Sequence, residues 1–226
     1  MQNFICGIFV VLLISGVTVG AHSEDSDKKS ARAKIDLSRL YTGYADYLEL
    51  RQKAEPDFTP IYRIMSKKVP SEEVKLHFEF QGKTYEITPL EGGMVHFRPT
   101  AEMLDANPVV WSNQPKGTLS MKVNARLIWE SEIPYNLKNM HSVVHKAWGD
   151  FKGLGGFMSF LAPRHVPVIM EFSEECVGDE WTMLRGKKII TSGKNETLTK
   201  IDFTKKAVRR SDSLTLTCKP EALYIG

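Results

Sequence analysis

His141 and His145 stand four residues apart, in a stretch whose apolar positions recur every three or four residues. On a helix that spacing puts both imidazoles on one face, where they can share a metal ion. Ser142 follows His141, so the His-Glu-x-x-His pattern of metalloproteases is absent. The pair needs a third ligand, and Glu130, Glu132, Asp150 and His165 offer the right chemistry if the fold brings one close. The plainer reading is two histidines on a solvated helix face, able to respond to mild acid near about pH 6.5.

Cys176 and Cys218 are the second constellation. The remaining cysteine, Cys6, lies in an apolar run at the start of the chain. In an oxidising compartment, two cysteines are expected to form one disulfide. Closing that loop contributes about 4 kcal/mol in the chain-entropy model. No histidine is near either cysteine in sequence, so nothing local marks a catalytic thiolate.

Other chemistries leave weaker traces. Glu130 and Glu132 fall on one side of a strand end, and Asp179-Glu180 precedes Trp181. An acid–base hydrolase needs two carboxylates facing across a cleft, and adjacent acids in turns are more simply solvated. Gly82-Lys83-Thr84 ends like a phosphate loop, but His77 stands where the first glycine belongs and strands flank it on both sides. Gly153-Leu154-Gly155-Gly156 follows a helix, so it does not aim helix N-terminal amides at an anion. No Gly-x-Ser-x-Gly elbow is present. Lys200, Lys205, Lys206, Arg209 and Arg210 form a basic stretch suited to a solvated face, a lipid head group or an envelope glycan. Asn195-Glu196-Thr197 is a glycosylation sequon. Phe157, Met158, Phe160 and Leu161 sit between glycines and Pro163, as a buried hinge or as an exposed patch for a partner or membrane surface.

These residues need elements to hold them. Leu37, Leu40, Tyr41, Tyr44, Tyr47 and Leu48 are spaced as one amphipathic helix, stopped by Pro56 and Pro60. Val74 to Phe80 alternates as a strand, Gln81-Gly82-Lys83 turns it, and Thr84 to Thr88 returns. Thr100 caps a short helix, and strands follow over 109–112 and 118–129. Leu137, Met140, Val144, Ala147, Trp148 and Phe151 mark a second helix over 135–151. Strand patterns resume over 166–172, 181–184, 188–191, 197–203 and 213–218. Phe97 and Pro115 in the first β-rich region recur as Phe203 and Pro220 in the second at nearly the same spacing, which suggests a tandem repeat.

The fold expected is α+β and mostly β, with two small antiparallel β-sandwich-like modules of immunoglobulin or transthyretin type, an N-terminal helix and a connecting helix. The division expected is a signal peptide over 1–21, a charged flexible tail over 22–35 and a helix with the first β-module over 36–132. A connecting helix and apolar hinge follow over 133–163, and a second, disulfide-bearing module over 164–226. The 226 residues carry 30 Lys plus Arg against 27 Asp plus Glu, a net charge of +3 and too balanced for a nucleic-acid binder. Phe4 to Val19 is uncharged and shorter than a spanning helix, with Val19 and Ala21 placed for cleavage before His22. Export to the periplasm or exterior follows.

The segments Ser112-Asn113-Gln114-Pro115-Lys116-Gly117 and Gly156-Phe157-Met158-Ser159-Phe160-Leu161-Ala162-Pro163 resemble stretches of uncharacterised secreted proteins of proteobacteria. The resemblance implies a bacterial periplasmic location and carries over no activity and no site residue. The chain is therefore expected to be a non-catalytic binding or scaffolding protein of the bacterial envelope, without a cofactor. Its partner would be an envelope protein, lipid or glycan, and peripheral membrane contact remains open. A first alternative is a lipid or small-molecule carrier with a cavity lined by Trp148, Phe151, Phe157 and Phe160. A second is an envelope hydrolase without a recognisable motif.

Overall fold

The structure is a computed structural model and describes residues 32–129, 132–154 and 166–225. The expected signal peptide, most of the tail, Glu130, His165 and the apolar patch of Phe157, Met158, Phe160 and Leu161 lie outside the described residues. The fold is α+β and mostly β, built from antiparallel sheets. Among the described residues, no helix is long and apolar enough to cross a membrane.

The first half runs β1 (Arg32–Asp36), α1 (Leu37–Leu40), α2 (Tyr44–Lys53), β2 (Phe58–Ser66), β3 (Leu76–Phe80), β4 (Lys83–Ile87), α3 (Ala101–Ala106), β5 (Val109–Pro115) and β6 (Leu119–Leu127). The second runs β7 (Tyr135–Asn136), α4 (Leu137–Leu154), β8 (Val168–Glu171), β9 (Glu180–Arg185), β10 (Lys188–Lys194), β11 (Leu198–Ile201), α5 (Lys206–Arg209), β12 (Ser213–Leu216) and β13 (Ala222–Ile225). Arg32 to Ile35 belong to strand β1 and not to the charged tail, because Ala33 is buried while Arg32 and Lys34 face solvent. The single helix expected from Leu37 is two, broken at Gly43, whose φ of 76° is left-handed.

The halves repeat one topology. The sheet order β1-β5-β3-β4 is answered by β7-β12-β9-β10. Registers correspond in the first two strand pairs of each sheet. Ile35 pairs with Val110 and Asp36 with Val109, as Tyr135 pairs with Leu214 and Asn136 with Ser213. Leu76 pairs with Ser112 and His77 with Trp111, as Trp181 pairs with Leu216 and Thr182 with Thr215. The Leu37 amide donates to the Pro108 carbonyl at 3.0 Å, and the Leu137 amide to the Asp212 carbonyl at 3.0 Å. Two-residue turns, Gln81-Gly82 and Gly186-Lys187, close the β3–β4 and β9–β10 hairpins. Helix α4 follows β7 inside the second half and occupies there the place that α1 and α2 occupy in the first.

One junction is closed differently in the two copies. In the first, Asn113 donates through Nδ2 to the Glu73 carbonyl at 2.9 Å and accepts the Lys75 amide at 3.0 Å, tying β5 to the turn before β3. In the second, the Cys176–Cys218 disulfide ties the 3-10 turn Glu174–Cys176 to the chain just after β12.

Compact packing divides the chain along other lines. Among the described residues, one unit comprises Glu49–Pro60 with those from Asn124 on, and the other comprises Ile61–Val123 with 32–48. In the latter, Tyr41, Tyr62, Phe78, Ile87 and Val110 are almost wholly buried. The Tyr41 hydroxyl donates to the Phe97 carbonyl at 3.1 Å, and the Tyr62 hydroxyl to the Thr42 carbonyl at 2.9 Å. Burial pushes both phenols far above the ordinary tyrosine range, with the neighbouring tyrosines adding to it. A raised pKa contributes stability that is complete below the unfolded tyrosine value of about 10 and is lost as pH climbs beyond it. In an alkaline titration followed at the tyrosinate absorbance, Tyr41 and Tyr62 are expected to ionise only together with unfolding. Their smooth ionisation in a chain with native circular dichroism would refute this.

Gly93 sets a tight approach in the same unit. Its φ is 81°, and a Cβ there would overlap the Ile64 carbonyl oxygen. Gly82, at φ 72°, has open space around the same position. Gly82→Ala is expected to cost about 1 kcal/mol and Gly93→Ala several times that, in urea unfolding. Equal losses would count against the close approach.

In the other unit, α4 buries Leu137, Met140, Val144, Ala147 and Trp148, the steps of three and four that the sequence suggests. Gly193 pairs with Trp181 across the β9–β10 hairpin, where a Cβ would come within 2.6 Å of the indole. The Trp181 Nε1 donates to the Lys194 carbonyl at 3.2 Å, so the ring lies flat along the strand.

Candidate functional site

The sheet β1-β5-β3-β4 has one buried side and one solvent side. Ala33, Val110, Ser112, Leu76, Phe78 and Ile87 go to the buried side. There Phe78 stacks on Tyr85 with ring centroids 5.2 Å apart and meets Phe97 edge-on at 5.7 Å. That packing fixes the register, and the register fixes what reaches solvent on the other side.

The solvent side carries one continuous cross-strand row. Lys34 pairs with Trp111, Trp111 with His77, and His77 with Glu86. Trp111 is 43% exposed, a large apolar ring left on the solvent side. Lys34 Nζ stands 5.6 Å from its ring centroid, within cation–π range. Val109 adds an exposed apolar side chain two residues along the same strand. The equivalent row of the second copy carries small hydroxyls instead, as Thr215 pairs with Thr182 and Thr182 with Ser192. The aromatic-and-charged row is therefore a property of one copy and not of the topology. Its members lie side by side on an open sheet, with no carboxylate facing another across a cleft. The arrangement suits binding: a flat stacking surface, a cation beside it, and an imidazole and a carboxylate to bond polar groups of a ligand.

The residues singled out from sequence fall elsewhere. His141 and His145 sit on the exposed side of α4 with ring centroids 6.3 Å apart, and His141 leans on Phe203 at 4.9 Å. Among the described residues, no third histidine, cysteine or carboxylate converges on them. Asp150 is held by Lys146 at 3.4 Å, and Lys146 also grips Asp57 at 2.6 Å. The hydrogen bond to Asp57, with the two nearby negative charges, holds the Lys146 ammonium above its ordinary range. Trp148 and Phe151 stack at 5.7 Å, and Phe151 meets Phe58 edge-on at 5.7 Å, so these rings of the expected carrier cavity pack on one another and on the core. Of the basic stretch, Lys206 and Arg209 lie on α5, whose Val208 is buried. Asp202, just before it, accepts from the Thr204 hydroxyl at 2.7 Å, and that bond holds its carboxyl below the usual range. The sequon residue Asn195 is only 2% exposed.

Trp111 carried no mark in the sequence beyond its strand. The signal was available in the alternation of Val109, Val110, Trp111 and Ser112, once Val110 and Ser112 are seen to be the buried pair. The disulfide between Cys176 and Cys218 joins as the cysteine count suggests. In comparisons with known proteins, no family model, curated protein or solved structure matches this chain.

Proposed function

We propose that this is an exported, non-catalytic binding protein of the bacterial envelope, and that its ligand is a carboxylate-bearing glycan held on the outer face of β1-β5-β3-β4. The observation that carries this reading is the row Lys34–Trp111–His77–Glu86. An indole face offers a sugar ring an apolar surface to lie on. Lys34, with Arg32 two residues along β1, supplies positive charge beside that surface for an acidic sugar. His77 can donate to or accept from hydroxyl and amide groups on the other flank, and the Glu86 carboxylate can accept from them. The disulfide is consistent with an oxidising compartment.

The test is sedimentation of the exported protein with insoluble peptidoglycan, and its retention on immobilised polygalacturonate. Retention that falls with rising salt and is lost in Trp111→Ala is expected. No retention on either, or retention unchanged in Trp111→Ala, would overturn the reading. Capture of a protein and not of the glycans would replace it with a scaffolding role. The mass of the secreted form checks the export step, with His22 expected as its first residue.

A further inference from the structure

We propose that, once reduced, Cys176, Cys218 and Asp179 form a binding site for a divalent metal of the zinc class. The two sulfurs and a carboxylate oxygen of Asp179 all lie within 4.8 Å of one another. The Cys176 and Cys218 Cα atoms are 5.8 Å apart. Zinc bonded to sulfur at about 2.3 Å with tetrahedral angles sets two sulfurs roughly 3.7 Å apart, a span that these backbones reach by side-chain rotation. The donor set of two thiolates and one carboxylate suits a borderline-soft ion and leaves a fourth position for water.

The comparison between the two copies shows that this corner has been rebuilt. In the first, the 3-10 turn Ser71–Glu73 is followed within two residues by the start of β3 at Leu76. In the second, the matching strand position is Trp181, and the connection from Cys176 is longer, passing through Val177, Gly178, Asp179 and Glu180. That longer turn carries Asp179, and it is clamped to Asn195. The Gly178 amide donates to the Asn195 carbonyl at 2.8 Å, and the Asn195 amide to the Asp179 carbonyl at 2.7 Å. Asn195 is buried, and neither its side-chain nitrogen nor its side-chain oxygen has a hydrogen-bond partner among the described residues. The Ser173 hydroxyl, 3.3 Å from Cys176 Sγ, stands ready to donate to a thiolate. Both cysteines, the acid-bearing turn and the unpartnered amide are thus additions to one end of one copy.

Loading proceeds in two balanced steps. A dithiol reductant gives two electrons and two protons to the Cys176–Cys218 bond and is itself oxidised to a disulfide. The metal then displaces the two thiol protons and binds both thiolates with the Asp179 carboxylate. The oxidised chain has no thiolate to offer and does not bind.

Cobalt is the probe, because thiolate-to-cobalt charge transfer and tetrahedral ligand-field bands report the donors directly. The full exported chain, reduced with a dithiol and then freed of it, is expected to bind one cobalt, displaceable by zinc. The oxidised chain is expected to show no such bands. Asp179→Asn should weaken binding about tenfold with the thiolate band kept, and replacing His141 and His145 with alanine should change nothing. Where reduction unfolds the chain, zinc should restore the circular dichroism of the oxidised form. Absence of the charge-transfer band in the reduced chain, unaltered affinity in Asp179→Asn, or failure of zinc to refold an unfolded reduced chain would each overturn the site.

Discussion

Replacing Cys176 and Cys218 together with alanine is expected to lower the unfolding free energy by about 2–5 kcal/mol. The bond closes a loop with a sequence separation of 42, which in the chain-entropy model is worth about 4 kcal/mol through restriction of the unfolded chain. Its position in the fold argues that the native state also depends on it. The first copy holds the same junction with side-chain hydrogen bonds from Asn113, whereas the second relies on the disulfide and on Thr217, whose amide and hydroxyl both donate to the Glu180 carbonyl at 3.1 and 2.9 Å. Asn113→Ala, which removes hydrogen bonds only, should therefore cost less, about 1–2 kcal/mol. Urea unfolding of the two variants side by side measures both. A loss under about 1 kcal/mol for the cysteine variant would mean that the Thr217 bonds suffice to hold the junction.

Trp111→Ala is expected to leave stability within about 0.5 kcal/mol of the parent while reducing glycan affinity about 30-fold. The ring is 43% exposed and points away from Phe78 and Val110, so its removal opens no cavity. Its proposed role is to present a flat apolar surface next to Lys34, and alanine removes that surface entirely. Lys34→Ala should produce a smaller loss that shrinks as salt rises, since an exposed cation is screened. Isothermal titration against an acidic oligosaccharide reads both effects, and urea unfolding checks the first half of the statement. A Trp111→Ala protein that unfolds early would place the indole in the fold's support and not on a binding face.

Much of this architecture is legible in the sequence, and the failures have physical causes. The amphipathic helix α4 is visible because its six buried side chains fall on one stripe. The cap at Thr100 is a local interaction, with its hydroxyl accepting the Met103 amide at 3.2 Å, and local interactions leave local signatures. Strand β2 is hidden because Pro60 reads as a break, yet β2 stands at the end of the five-stranded sheet β11-β8-β13-β6-β2, where a residue without an N–H is tolerated. Strand β1 is hidden because a charged stretch resembles a tail, although its charges alternate with buried Ala33. The Trp111 row and the approach of Asp179 to the cysteines depend on pairings between residues far apart in sequence, and no window of neighbouring residues contains that information. His141 and His145 illustrate the opposite case. Their spacing is right for a shared ligand, but no third donor among the described residues meets them.

The mismatch between the repeated topology and the compact units bears on how such a chain could be shortened or rearranged. The boundary between copies falls between Leu127 and Tyr135, where a designer would place a cut. Yet Glu49–Pro60 and the residues from Asn124 to that boundary, all from the first copy, pack as part of the unit that contains the second. Neither fragment from such a cut would carry a complete set of partners, so each is expected to aggregate or remain soft when expressed alone. Mixing the two fragments should restore a folded protein, as split proteins do when their pieces complement. Insertion of a foreign domain at that boundary should be tolerated far better than severance there.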